Sequence, residues 1–449
     1  MMQISRRGFA VGAASLAVPA ELVSVPAHAQ TPALADQAPV YPDAAASDPV
    51  ALGWMQGTPP PPERQIRFED GSFLRFPQQR WTFSHWRQFR PTVKIARGGP
   101  VTVLPRAERD DLDAVTFTPI GAATPMTWRR SLSANYTDGI VVLHRGRIVY
   151  ERYLGALRPD GEHIAFSVSK SLFGTIGAML VGEGKLDRDA AVVRSIPELA
   201  GSGFADATVG QVLDMTTALN FSEDYVATSG DFAAYRLARG TSPLPTEYGG
   251  PNSAYEFDRR IARNGEHGRA FVYRSPNADI LGWLISRVES KPLDQVVSER
   301  IWSRIGAEAD AYFHVDPSGV PHAASGLNCC LRDLARFGEM MRGNGRINGR
   351  QVVPAAVVER IRKGGDPARF SGYATLPGWS YGNQWWHAHD AHGVYMARGT
   401  YGQAIYIDPA AEMVIARFAS HPLAGNVNLD PTSLPAYRAV AEHLTRAVL

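Results

Sequence analysis

Ser167 and Lys170 stand at positions i and i+3 of the run Phe166-Ser167-Val168-Ser169-Lys170-Ser171-Leu172-Phe173-Gly174. The run opens an apolar stretch of helical character. On a helix, positions i and i+3 share a face, so the lysine ammonium reaches the serine hydroxyl. The serine falls in the first turn, where unbonded backbone N–H groups and the positive end of the helix dipole favour an oxyanion. A serine hydroxyl attacks poorly until a neighbour takes its proton, and a lysine serves once burial and nearby cations lower its pKa. The pattern spells nucleophilic catalysis. Ser167 as a helix N-cap beside a solvated Lys170 fits the same spacing, so the surrounding elements must decide.

Those elements begin at Gly139. The β-branched run Gly139 to His144, the pair Arg145-Gly146 and the run Arg147 to Tyr153 form a hairpin pattern. A second hairpin is expected from Gln403 to Asp408 and Met413 to Phe418, joined by Pro409-Ala410-Ala411-Glu412. Between them lie helical stretches at Ser167 to Glu183, Val209 to Met215, Ala278 to Glu289 and Leu331 to Met341, and Thr432 to Val448 closes the chain as a helix. The expected fold is therefore α+β: an antiparallel sheet built from both ends of the chain, with a mostly helical insertion. It occupies residues 129–449.

What precedes it is different. Ser5-Arg6-Arg7-Gly8-Phe9, an apolar run to Ala20 and Ala27-His28-Ala29 predict a twin-arginine signal peptide over residues 1–29, hence a periplasmic or secreted protein. Residues 30–128 read as a Pro-rich linker or wrapping arm, with Pro59 to Pro62, followed by an irregular segment carrying Trp81, Phe83, Trp86 and Phe89 that packs on the main body.

Composition narrows the chemistry. The chain has 449 residues, 45% hydrophobic and 20% charged, with a formal charge of +2 and no long block of either sign, which excludes a nucleic-acid arm. No stretch after the leader is long and apolar enough for membrane insertion. The two cysteines, Cys329 and Cys330, are adjacent and offer no disulfide framework; buried thiols are expected. No Cys/His spacing suits zinc, so neither metal nor cofactor is expected.

Ser167-Val168-Ser169-Lys170-Ser171 resembles the first motif of the class C β-lactamase, DD-peptidase and family VIII esterase superfamily. Tyr273-Arg274-Ser275 resembles its second motif, and Gly399-Thr400-Tyr401-Gly402 to Pro409 resembles the edge strand lining the active site. Further likeness to the nylon-oligomer (6-aminohexanoate-dimer) hydrolases runs through Pro197 to Gly201, Gln211 to Met215, Glu223-Asp224-Tyr225-Val226, Arg332 to Arg336 and Gln384-Trp385-Trp386. The resemblance covers roughly residues 130 to 420 and implies the β-lactamase/penicillin-binding-protein fold. It also implies a small-molecule amide or ester substrate and an acyl-enzyme on Ser167. Lys170 and Tyr273 would carry protons, Ser275 would stand beside the pair, and Tyr225 would close over the substrate amide. The oxyanion would be held by the N–H groups of Ser167 and Thr400.

One departure stands out. The superfamily usually carries Lys or His, then Thr or Ser, then Gly on the third strand, where the cation reads a substrate carboxylate. Here Val394-Tyr395-Met396-Ala397-Arg398 precede Gly399. Arg398, or His392 with Gly393 across an insertion, would supply the cation; a solvated arginine at a strand entrance is the other reading. Trp379, Tyr381, Trp385 and Trp386 gather just before, either as a cleft wall, with Trp386 lining the site, or as core. The competing functions are a peptidoglycan-directed DD-peptidase or β-lactamase, which export favours and the missing cation disfavours, and a catalytically inactive binding protein of the same fold.

Overall fold

A computed structural model describes residues 40–446; the leader at 1–29 and the linker up to residue 39 lie outside that range. The strands are β1 (Thr92–Ile95), β2 (Thr137–His144), β3 (Arg147–Tyr153), β4 (Glu162–Ile164), β5 (Ala311–His314), β6 (Leu327–Cys330), β7 (Ser380–Gly382), β8 (Trp385–His387), β9 (Tyr395–Arg398), β10 (Ala404–Asp408) and β11 (Met413–Ala419). A seven-stranded antiparallel sheet runs β7-β8-β9-β10-β11-β2-β3. Within it β11 pairs with β2, so strands from both ends of the chain meet in one sheet. The β2–β3 turn works because Arg145 (φ 52°) and Gly146 (φ 73°) both take the left-handed conformation that a tight two-residue hairpin demands.

Strand β2 is apolar on both faces because both are covered. Val141 and Leu143 join the cluster holding Leu334 and Phe337 of helix α5, whereas Ile140 and Val142 join the one holding Tyr437 and Val440 of helix α6. The helices that matter for the site are α1 (Val168–Gly182), α2 (Asp231–Ala238), α3 (Ala254–Asp258), α4 (Pro276–Glu289), α5 (Leu331–Arg342) and α6 (Asp430–Arg446). Every residue of α1 from Val168 to Leu180 is buried, so the helix is apolar around most of its circumference. Gly174 is what lets it lie there. A Cβ at that position would sit 2.1 Å from the Asn383 carbonyl oxygen.

Residues 40–128 form more than an irregular cover. β1 pairs with β5 at the edge of a second, four-stranded sheet ordered β1-β5-β6-β4. Phe73, Phe83 and Trp86 build a third cluster with Ile164 and Tyr312, against which Phe166 and Tyr401 pack. Each such buried aromatic stabilises by roughly 2–3 kcal/mol. Periodicity missed β1 because a four-residue edge strand between Pro91 and Gly98 carries too few alternations to register. Cys329 and Cys330 are free, buried thiols in β6.

Candidate active site

The start of α1 is held from three sides. The Phe166 backbone takes a left-handed conformation (φ 43°), turning the chain out of β4 so that Ser167 opens the helix. Ala165 N–H donates to the Leu327 carbonyl at 2.8 Å, and the Ser169 hydroxyl accepts from Leu327 N–H at 3.0 Å while donating to the Phe166 carbonyl at 2.6 Å. The Phe166 ring lies 4.9 Å from Phe83 and 5.3 Å from Tyr401, so the N-terminal segment braces the turn that carries the serine.

Ser167 occupies the N-cap position, yet its side chain makes no capping hydrogen bond and is 8% exposed. It faces Lys170 instead. Lys170 is 1% exposed and its Nζ donates to Ser167 Oγ at 2.9 Å, to Ser275 Oγ at 3.0 Å and to the Ala324 carbonyl at 2.8 Å. The solvated-lysine alternative is thereby excluded. Burial pushes the Lys170 pKa down to about 8, with Arg239 acting in the same sense and Glu223 and Asp279 opposing it. Tyr273 lies with its ring centroid 5.0 Å from Lys170 Nζ. Burial raises its hydroxyl pKa well above the ordinary value, and Glu223 adds to the rise, while the Ser167 hydroxyl and Arg398 work against it. Ser167, Lys170, Tyr273 and Ser275 therefore converge.

Ser275 occupies the N-cap position of α4 without capping it, and its hydroxyl passes the contact on by donating to Glu223 Oε1 at 2.7 Å. The Tyr225 hydroxyl donates to the same oxygen at 3.0 Å. Glu223 is thus a site residue that sequence reasoning passed over; the only signal was its place two residues before Tyr225. Arg274 fixes the loop that carries both, donating to the carbonyls of Phe221 and Thr217 at 3.0 Å each.

The opposite wall comes from β8, β9 and the turn after it. Trp385 and Trp386 point to opposite faces, as neighbours on a strand must. Trp385 enters the core, with Nε1 donating to Thr175 Oγ1 at 3.2 Å, whereas Trp386 stacks on Tyr273 with centroids 5.6 Å apart. The aromatic run is therefore both core and cleft wall, and Tyr381 joins it, 4.7 Å from Phe271. Tyr373, from the loop before β7, completes the group 5.4 Å from Trp386.

Thr400 begins a short turn in which Tyr401 has φ 63°. Gly399 approaches the serine turn so closely that a Cβ there would lie 2.6 Å from the Ala165 carbonyl oxygen. Among the described residues the N–H groups of Ser167 and Thr400 donate to no protein acceptor.

Arg398 is not solvated. It is 6% exposed, its guanidinium packs over Trp386 at 5.1 Å, and it is ion-paired with Asp430 at the start of α6, which also accepts from Thr375 Oγ1 at 2.7 Å. His392 is engaged elsewhere, with Nδ1 at 2.8 Å from Asp408. Neither presents a free cation of the kind expected from the third-strand motif.

The stretch that holds the Ser167–Lys170 helix, the Tyr273 loop and the 399–402 turn, in this order, is matched by a family model described as Beta-lactamase, which covers residues 130–432. The chain belongs to the beta-lactamase family. Within that family it is 31% identical over 385 residues to a 6-aminohexanoate-dimer hydrolase of Paenarthrobacter ureafaciens, covering 85% of this chain and 91% of the relative. A solved Bacillus anthracis structure provisionally described as a 6-aminohexanoate-dimer hydrolase superposes with a TM-score of 0.77 at 30% identity, over 85% of this chain and 99% of that one. A penicillin-binding-protein homologue from Caulobacter crescentus shares the fold at a TM-score of 0.52 and 16% identity, over 70% of this chain and 96% of its own. This beta-lactamase-family chain is thus similar to 6-aminohexanoate-dimer hydrolases and has the α+β fold it shares with the penicillin-binding-protein homologue.

Proposed function

We propose that this protein is an exported serine hydrolase that cleaves small linear amides or esters through an acyl-enzyme on Ser167. The single observation that carries the reading is the buried Lys170 ammonium donating to the Ser167 hydroxyl at 2.9 Å, inside a site with aromatic walls. Ser167 Oγ attacks the substrate carbonyl carbon while its proton passes to the Lys170–Tyr273 pair, which titrates as one system. The carbonyl oxygen takes the negative charge between the N–H groups of Ser167 and Thr400. Collapse breaks the C–N or C–O bond, and the same pair returns the proton to the leaving amine or alcohol, with Tyr225 assisting an amine. Water then attacks the acyl-enzyme and gives its proton to the pair, the acyl C–Oγ bond breaks, and the pair returns that proton to Ser167 Oγ as the acid leaves.

Export rests on the paired arginines Arg6 and Arg7, the apolar run after them and the Ala27-His28-Ala29 end. The test is covalent labelling of the mature protein with a fluorophosphonate probe, followed by turnover of p-nitrophenyl acetate and a linear 6-aminohexanoate dimer. Wild type should label and turn over both, and Ser167→Ala should do neither. A Ser167→Ala variant keeping more than about one tenth of wild-type kcat would remove Ser167 as nucleophile.

A further inference from the structure

Lys170 is gripped by a backbone carbonyl as well as by side chains, and that carbonyl has its own supports. Asp279, one turn along α4 from Ser275, accepts from Ala324 N–H at 3.3 Å through Oδ1. Arg239, at the end of α2, donates to Ser325 Oγ at 3.2 Å and lies 3.7 Å from Asp279 Oδ2. The Tyr235 hydroxyl donates to the same Oδ2, and the Arg239 guanidinium packs over the Tyr235 ring at 4.7 Å. All of this is sealed: Asp279 is 2% exposed, Arg239 5% and Tyr235 0%. The Ala324–Ser325 turn is therefore clamped at both residues, and the Ala324 carbonyl is turned toward Lys170.

The direction matters because of donor arithmetic. An ammonium has three N–H donors, and all three are used here, on Ser167, Ser275 and Ala324. To take the serine proton, Lys170 must first lose one. With Ala324 and Ser275 holding the two remaining N–H groups, the lone pair points at Ser167 Oγ. We propose that Asp279 and Arg239 are positioning residues which, by clamping the Ala324–Ser325 turn, aim the neutral Lys170 amine at Ser167 and set its charge environment from behind.

The inference rests on the Ser–Lys reading above. The groups facing Lys170 are Ser167 on its own helix, Ser275 and Asp279 on α4, Tyr273, Glu223 on the 217–229 loop, and Arg239 behind it on α2, next to Tyr235. Asp258, at the end of α3, stands behind Asp279; burial raises its carboxyl pKa well above the ordinary value, Asp279 adds to the rise and Arg239 opposes it. Burial lowers the His314 and His322 pKa values well below the ordinary imidazole value, and nearby Arg239 acts in the same sense. Asp279 and Arg239 are thus the charges on the far side of the lysine, and they act on it with opposite sign.

The experiment is the pH dependence of kcat/KM for p-nitrophenyl acetate in the full mature chain. Asp279→Asn removes a negative charge, so Lys170 loses its proton more readily and the acid limb should move down by about half a pH unit or more. Arg239→Gln removes a positive charge and should move the limb up by a similar amount. Both should lower kcat about tenfold or more, because each breaks the Arg239–Asp279 pair that holds the Ala324–Ser325 turn in place. Tyr235→Phe, which changes no charge, should leave the limb in place. The double variant Asp279→Asn/Arg239→Gln, in which neither charge is left unpaired, should restore the limb to near its wild-type position while kcat stays low. Limbs that do not move, or that move together in both single variants, would overturn the proposal. Should either single variant fail to fold, a double variant with wild-type kcat overturns it equally. Activity persisting in Ser167→Ala would instead sink the Ser–Lys reading itself.

Discussion

Glu223 grips Ser275 twice: its Oε1 accepts the Ser275 hydroxyl at 2.7 Å and its Oε2 accepts the Ser275 backbone N–H. The hydroxyl is thereby committed as a donor to Glu223, and its lone pairs face Lys170. Glu223→Gln keeps the shape but gives up the charge that favours the Lys170 ammonium. The acid limb of kcat/KM should therefore shift to lower pH. The maximum should fall by roughly 10- to 100-fold, since the amide cannot accept both Ser275 bonds. Steady-state kinetics from pH 5 to 10 measure both effects.

Lys170 donates to the Ser167 hydroxyl with the Tyr273 ring 5.0 Å from its Nζ, and in the proposed mechanism the two carry one proton between them. Lys170→Ala and Tyr273→Phe should each cost several orders of magnitude in kcat, nearly as much as Ser167→Ala, and the double variant should be little worse than either. Costs that simply add would show that the two act separately.

The buried lysine also burdens the fold. Its folded pKa, about 8, lies below the unfolded value of 10.5, so the folded state binds fewer protons between the two. Unfolding free energy should rise with pH across that window, and the burial cost of roughly 3 kcal/mol is fully present below pH 8. Lys170→Met should then be inactive yet more stable than wild type at pH 7, with the gap narrowing as pH approaches 10. Urea melts at several pH values test this; an equal or larger gap at pH 10 contradicts it.

These groups were unequally visible in the sequence. Ser167 and Lys170 share a helix, so spacing alone brings them together, and Tyr273 with Ser275 sits in a recognisable motif at the entrance to α4. The sheet was legible at its two expected hairpins, which declare themselves locally as Arg145-Gly146 does, but not in the short strands β7, β8 and β9, which carry too few alternations. Glu223 was not, because a loop carboxylate reaches its partner 52 residues away only after the chain has folded. The Ala324 carbonyl was invisible for a simpler reason: every residue has one, and only tertiary structure selects which is used. Arg398 was visible as a cation, but its partner Asp430 lies 32 residues further on.

Tyr225 shares Glu223 with Ser275, and its hydroxyl pKa is raised well above the ordinary value by burial and by Glu223. In the proposed mechanism it donates to the departing amine. An amine must be protonated as it departs, whereas a phenolate leaves with little help. Tyr225→Phe should therefore depress hydrolysis of a linear amide at least about tenfold more than hydrolysis of p-nitrophenyl acetate. Equal losses on both substrates would reduce Tyr225 to packing against Phe232, 5.2 Å away.

The Arg398–Asp430 pair bears on substrate choice. A penicillin-type substrate presents a carboxylate that needs a cation beside the third strand, and here the candidate cation is already compensated within a buried pair. Short esters need only the nucleophile, the proton carriers and the oxyanion N–H groups. Values of kcat/KM should accordingly fall in the order p-nitrophenyl acetate, linear 6-aminohexanoate dimer, nitrocefin. Asp430→Asn keeps the contact with Thr375 but frees the Arg398 charge, and it should raise nitrocefin turnover relative to the ester by about tenfold. A wild-type nitrocefin value equal to or above the ester value would reverse the ranking and put the β-lactamase reading first. An Asp430→Asn variant with an unchanged ratio would show that the carboxylate is read elsewhere.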